Sequence, residues 1–292
     1  MSPSGARVVA HAKINLALRV LARRADGYHT IETLFARIGL GDLVTVRVRD
    51  AGRELHCTGA DVGPPERNLA LRAATAFAEA VGWPRGFSVE VEKRVPVGGG
   101  LGGGSADAGA VLRALAALAP RPVPQDELLR LALLLGSDVP FLTLEAPLAL
   151  AWERGERLLR LPALPARSVA LVLPGFAVAT ADAYAWVDEA RVQAADGPAV
   201  LDAGRLARWE DVAVFAANDF EEPVARRHPG LPGILRGLRR SGATIAHLCG
   251  SGSSVFGVFE APPDAAQLSR EIPGTIALTE TLSRVTPVEL ID

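Results

Sequence analysis

From Val95 to Gly109 the chain reads VPVGGGLGGGSADAG, six glycines around a single leucine, and this run dictates what must flank it. Glycine loses more conformational freedom on ordering than any other residue, so a fold that orders so many together needs the bare backbone for a purpose. The preceding FSVEVEKRV alternates apolar and polar residues, the period of a strand. After the run, Ala108, Val111, Leu112 and Leu115 fall on one face of a helix, with Ser105 expected as its N-cap. Strand, glycine loop and helix N-terminus together hold anions, because backbone N–H groups converge and the helix dipole adds about half a positive charge. A loose surface linker is the competing reading, and linkers seldom join a strong strand to a strong helix.

The kind of phosphate loop can be narrowed by elimination. The run matches GxGxxG at Gly98, Gly100 and Gly103, but a dinucleotide fold needs a further strand–helix unit closed by an acidic residue. The proline-broken APRPVPQDELL stands there instead. A Walker A loop would end in GK[ST], and a protein kinase would carry H-R-D and D-F-G; the chain contains none of these. The phosphate holder belongs to another class.

The rest of the chain sets the frame. At 292 residues, 49% of them hydrophobic, it is long enough for two cores. A formal charge of -2 argues against a nucleic-acid or membrane-surface partner. No apolar run approaches the ~20 residues of a membrane span, and MSPSGARVVAHAK lacks the features of a signal peptide, so a cytoplasmic location is expected. Cys57 and Cys249 lie outside any CxxC pattern and are expected to be reduced core thiols.

Val8 to Val20 alternate as a half-buried strand, with Lys13, Asn15 and Arg19 on the polar face, and the turn Asp26-Gly27 precedes a second strand, LVTVRVRD. Asn68 is placed to cap a helix closed by Gly82, and QDELLRLALLL stops at Gly136. Further on come the strand SVALVL, helices over ADAYAWVDEA and LARWEDVAVF, and two strands, IAHLC and VFGVF, around GSGSS. Strands and helices mix without a regular βαβ period, which predicts an α+β fold in two domains, 1–160 and 161–292. Arginine abounds while lysine occurs only at Lys13 and Lys93, so both merit inspection.

Taken together, these segments resemble the GHMP kinases, a family that includes galactokinase, homoserine kinase and mevalonate kinase. PVGGGLGGGSAD is similar to the family's phosphate loop, AKINLALRV to its first motif and CGSGSSVFGVF to its third. ADGYHTIETLF, GSDVPFL and AANDFE narrow the resemblance to the branch that phosphorylates a cytidylylated methylerythritol in the non-mevalonate route to isoprenoids. The resemblance implies a two-domain fold with its active site in the cleft, and transfer of the ATP γ-phosphoryl, carried as the Mg2+ complex, to a 2-hydroxyl.

The same resemblance assigns ATP binding to Pro96, Val97, Gly98, Gly99, Gly100, Leu101, Gly102, Gly103, Gly104, Ser105 and Ala106. Ser105 is then the candidate contact to Mg2+, and Ala106 stands where the family often has a second serine. Asp138 becomes the base, assisted by Lys13, with Asn15 fixing substrate or lysine. Tyr28 and His29 would receive the cytidine, with Tyr184 as a second aromatic face, and Gly250, Ser251 and Gly252 would form a second backbone edge. Without the resemblance, Asp138 reads as a turn or helix cap, Lys13 as a surface lysine, Tyr184 as a core ring and GSGSS as a tight hairpin. Lys93 receives no role, and its replacement is expected to be silent; Asp107 is expected only to favour the helix start. The partners implied are ATP and one small-molecule acceptor, for a monomer or weak homodimer. Another GHMP kinase, of homoserine or mevalonate type, and a non-catalytic nucleotide-binding regulator are the rival readings; the regulator would be expected to lose Lys13 or Asp138.

Overall fold

A computed structural model describes residues 3–190 and 203–292. β1 (Gly5–Arg23) and β2 (His29–Arg49) form a long antiparallel hairpin around the Asp26-Gly27 turn. LVTVRVRD is therefore the far end of a 21-residue strand and not a strand of its own. That length lets β2 serve two further partners in succession. Ile31–Ala36 pair with β5 (Leu148–Glu153), and Leu43–Arg49 with β4 (Gly86–Glu92). β3 (Arg53–Thr58) runs parallel to β4, and β6 (Arg157–Arg160) pairs with β5. A second, wholly antiparallel sheet has the order β10 (Thr275–Glu280), β7 (Ser168–Leu173), β9 (Val255–Phe259), β8 (Ile245–Leu248). β11 (Glu289–Ile291) returns to the first sheet, beside Gly5–Arg7 of β1.

Helices α1 (Leu69–Val81), α2 (Gly103–Leu118), α3 (Gln125–Leu135) and α4 (Val139–Thr143) belong with the first sheet. α5 (Thr180–Ala190), α6 (Trp209–Phe215), α7 (Glu221–Arg227), α8 (Leu231–Arg240) and α9 (Ala265–Glu271) belong to the second half. The fold is α+β, as the mixed order of elements led one to expect. Local signals place several boundaries. Asn68 Oδ1 accepts from Ala70 N at 2.9 Å to cap α1, Gly82 closes it at φ 70°, and Gly136 ends α3.

β1 is the common member of the apolar cores. Ala6, Val8 and Ala10 pack with α1 and α2, Ala12, Ile14 and Leu16 with Val169, Leu171 and Phe256 of the second sheet, and Leu18 and Val20 with α5, α7 and α8. The strand is thus covered on both faces, where alternation alone suggested a solvated polar face. Arg19 stays exposed, but Lys13 and Asn15 are buried.

α4 is short, and its position depends on two contacts. A Cβ on Gly109 of α2 would lie 2.5 Å from the carbonyl oxygen of Leu142, so only glycine lets the two helices cross this closely. Arg37, on β2, donates through Nη2 to Phe141 O at 2.9 Å and Leu144 O at 2.6 Å, and through Nε to Ala146 O at 3.1 Å. The guanidinium thereby satisfies carbonyls that the end of a helix leaves without partners. Gly109→Ala tests this packing, because helix propensity alone would favour the alanine by about 1 kcal/mol. We expect a net loss of about 1–3 kcal/mol from overpacking, seen as a lower thermal midpoint. A raised midpoint would refute the close crossing.

Candidate active site

The glycine loop is seated by backbone contacts on two sides. Lys13 N of β1 donates to Leu101 O at 3.0 Å, and Ser254 N donates to Gly99 O at 3.2 Å. Gly98, Gly100 and Gly102 all hold positive φ, between 73° and 77°. At Gly100 a Cβ would also come within 2.0 Å of the Cys249 carbonyl oxygen. Bare backbone is therefore required here by the protein's own second glycine loop, residues 249–254, before any ligand is considered. Gly102 turns the chain directly into α2, and Ala106 N already donates to Gly102 O at 2.8 Å. Ser105 consequently sits inside the first turn and is not the N-cap.

Loop, helix start and strand floor enclose a cavity of about 520 Å³. On its floor Lys13 Nζ donates to Asn15 Oδ1 at 2.8 Å, Asn15 Nδ2 to Thr33 Oγ1 at 2.8 Å, and Thr33 Oγ1 to Ala17 O at 2.7 Å. This chain fixes the ammonium, which also lies 3.3 Å from Asp138 Oδ2. Lys13 is only 3% exposed, whereas the Asp138 side chain is 31% exposed at the cavity wall. Asp138 directly precedes α4, yet its side chain makes no capping bond. The cap reading of this residue is thereby set aside. Burial, with Asp138 adding to it, pushes the Tyr184 phenol up to about 12. Burial likewise pushes the Cys249 thiol up to about 12, against the pull of Lys13. An inert thiol thus underlies the loop.

The remaining expected residues divide by position. Pro96 to Ser105 line the cavity, as do Gly250, Ser251 and Tyr184, while Ala106 is buried in the α2 core and Gly252 lies behind the lining. GSGSS connects β8 to β9, as the hairpin reading expects, and its Gly250 and Ser251 also line the cavity. His29 stacks on Tyr184 with ring centroids 4.8 Å apart and bonds to Asp188 Oδ1 at 2.7 Å. Tyr28 is not brought to them: it is 56% exposed, with the Arg154 guanidinium 4.1 Å from its ring centroid.

Sequence reasoning passed over three groups. Asn218, in AANDFE, donates through Nδ2 to Leu248 O and Gly250 O, both at 2.8 Å, while Leu18 N of β1 donates to Ala217 O at 2.8 Å. It holds the second glycine loop above Lys13; the motif was visible, but its mechanical role was not. Asp61, Val62, Arg67, Asn68 and Leu69 also line the cavity, which the sequence did not lead one to expect. Lys93, expected to be dispensable, is buried and donates to Asp42 Oδ2 at 2.5 Å and Asp107 Oδ2 at 2.8 Å. Its removal would leave Asp42 and Asp107 without their shared ammonium, so this geometry favours an effect where the sequence led one to expect almost none. Among the described residues no three His, Cys, Asp or Glu side chains cluster as a metal site, and no helix is long and apolar enough to cross a membrane.

Comparison with known proteins agrees with this geometry. Residues 68–145 match the GHMP kinases N terminal domain, and residues 199–276 match GHMP kinases C terminal. A 4-diphosphocytidyl-2-C-methyl-D-erythritol kinase of Anaeromyxobacter dehalogenans is 46% identical over 86% of this chain and 80% of its own length. One from Chlorobaculum tepidum is 38% identical over 94% and 96%. The crystal structure of a 4-(cytidine 5'-diphospho)-2C-methyl-D-erythritol kinase superposes with TM-score 0.77 at 38% identity, covering 94% of this chain and 98% of that one. A homoserine kinase from Cytophaga hutchinsonii shares the fold, with TM-score 0.72 at 18% identity over 99% and 98%.

Gly100→Ala should be severe, since the substitution meets both a positive φ and a fixed carbonyl. We expect nucleoside triphosphate affinity to fall at least ~10-fold, a difference of about 1.4 kcal/mol, in a direct titration. Wild-type affinity in this variant would show that the loop need not keep its seat against residue 249.

Proposed function

The chain belongs to the GHMP kinases, and from that membership we propose that it is a 4-diphosphocytidyl-2-C-methyl-D-erythritol kinase of the non-mevalonate isoprenoid route. It transfers the γ-phosphoryl of ATP to the 2-hydroxyl of the methylerythritol portion. The observation that carries this reading is the 3.3 Å approach of Lys13 Nζ to Asp138 Oδ2 in a cavity that the glycine loop also lines.

Phosphoryl transfer asks a protein mainly for alignment and charge stabilisation, together with an acceptor for the hydroxyl proton. Asp138 takes that role. As the acceptor oxygen bonds to the γ-phosphorus, the bond from phosphorus to the β,γ-bridging oxygen breaks, ADP leaves, and the hydroxyl proton passes to the carboxylate. Lys13, held by Asn15, orients Asp138 and offers positive charge to the transferring group. Backbone N–H groups from Gly98 to Ser105 and the start of α2 receive the phosphates. Bound with ATP, Mg2+ would supply charge neutralisation at the phosphates. Ser105, in the first turn of α2 and on the cavity wall, supplies an oxygen of the right kind.

The acceptor occupies the end walled by Tyr184, Thr180, Phe220, Gly250 and Ser251. Its cytosine belongs by Tyr184 and His29, where an aromatic face and a ring nitrogen are already together; Tyr28, exposed under Arg154, takes no part. Residues 1–160 and 161–292 are then the two lobes that flank the cleft, except that β11 returns to the first.

Asp138→Asn should lower turnover at least ~100-fold while leaving the thermal midpoint in place, and Lys13→Ala should do comparable damage. Near wild-type turnover in Asp138→Asn would remove the proposed base. Tyr184→Ala should raise KM for the cytidylylated acceptor far more than KM for ATP; a matching rise in both would mean that the ring only packs. A coupled assay comparing that acceptor with its CMP-free analogue tests the substrate itself, and equal rates would exclude cytidine recognition.

A further inference from the structure

The only two lysines of the chain lie against consecutive residues of the glycine loop. A Cβ on Gly102 would lie 3.2 Å from Lys13 Cε, and one on the next residue, Gly103, would lie 3.4 Å from Lys93 Nζ. The Lys13 side is spoken for by the chemistry proposed above. Nothing in the reaction as written uses Lys93, whose ammonium pairs with Asp42 and Asp107 and not with Asp138.

Lys93 follows the end of β4, and its backbone N–H donates to Thr58 O at 2.9 Å. Its ammonium bridges Asp42 of β2 and Asp107 of α2, at 2.5 Å and 2.8 Å. The other oxygen of Asp42, Oδ1, accepts from the backbone N–H groups of Arg94 and Val95, at 2.5 Å and 2.8 Å. One buried joint therefore ties three pieces: the central strand, the residues that lead into the loop, and the first turns of the helix that leads out. These are both stems of the loop. Lys93 and Asp107 also line the cavity, and Asp107 Oδ1 is buried without a hydrogen-bond partner.

We propose that Lys93 is a positioning residue for ATP: by drawing Asp42 and Asp107 onto one ammonium it fixes the separation of the two loop stems, and thereby aims the loop's N–H groups at the phosphates. Stability alone is a poor reason for such a joint. Two carboxylates and one ammonium out of water carry a large desolvation penalty, and apolar replacements of similar volume are often neutral or stabilising. Burial already works against the Asp107 charge, with Lys93 opposing it. What a charged joint supplies, and an apolar contact does not, is a short and directional link between strand and helix.

The inference rests on the glycine loop being the phosphate site, and the test separates the two claims. In Lys93→Met with Asp107→Leu, the cross-link is removed without stranding the Asp107 charge, and Asp42 keeps its bonds to Arg94 and Val95. This folded variant should show KM for ATP raised at least ~10-fold and KM for the acceptor within about twofold of wild type. Lys93→Arg keeps the charge and both partners but changes the reach, so it should show a smaller rise in KM for ATP alone. It also serves as the test protein should the double variant not fold. Unchanged KM for ATP in a folded variant, or parallel rises in both KM values, would overturn the positioning role and leave a purely structural ion cluster. Calorimetry of the wild type with Mg-ATP guards the premise: no binding there would sink the phosphate-site reading itself.

Discussion

An ammonium buried among apolar strands is tolerated only if its protons find acceptors, and Lys13 finds them in Asn15 and Asp138. The need for those acceptors organises the surrounding structure. Asn15 has to be held by Thr33 across the β1–β2 hairpin, which requires the register in which Asn15 faces the second strand near Phe35. Asp138 has to arrive from a separate part of the chain, and α4 brings it. That helix is fixed by the glycine that lets α2 cross it and by the Arg37 fork at its far end. The roof comes from the other half, where Asn218 ties the second glycine loop to β1 and that loop presses on Gly100. A network of modest individual bonds, each about 1 kcal/mol net, converges on one charge and sets it beside the glycine loop.

The two glycine-rich segments differ in what their bareness achieves. In the first, left-handed conformations at Gly98, Gly100 and Gly102 carry the chain along the cavity and into α2. In the second, a hairpin turn brings carbonyls and hydroxyls against the first, so each loop is part of the other's support. A cavity wall assembled from two such loops carries little side-chain bulk, which suits the phosphate-binding role proposed for it.

Much of this was legible in the residues, and the failures have physical causes. Asn68 and Gly82 marked α1 because capping is local chemistry, and the alternation from Val8 put Lys13 and Asn15 on one side of a strand. Alternation reports which residues share a side; it does not report whether another layer covers that side. The burial of both therefore came only with the second sheet. Ser105 was misplaced as a cap because the positive φ of Gly102, which starts the helix early, leaves no trace in composition. Lys93 looked ordinary because its partners, Asp42 and Asp107, lie 51 and 14 residues away. Tyr28 and His29 are adjacent in sequence and look interchangeable as aromatic walls; neighbouring positions along an extended chain point apart, and only His29 meets Tyr184.

β1 contributes to every apolar cluster while carrying the lysine at its centre. A strand shared in this way couples the melting of the two halves, since neither can dissolve its own interior and leave the other's floor intact. Lys13 is then seated in the shared interior and not in a peripheral segment, and a disturbance of the strand's packing is expected to reach both halves.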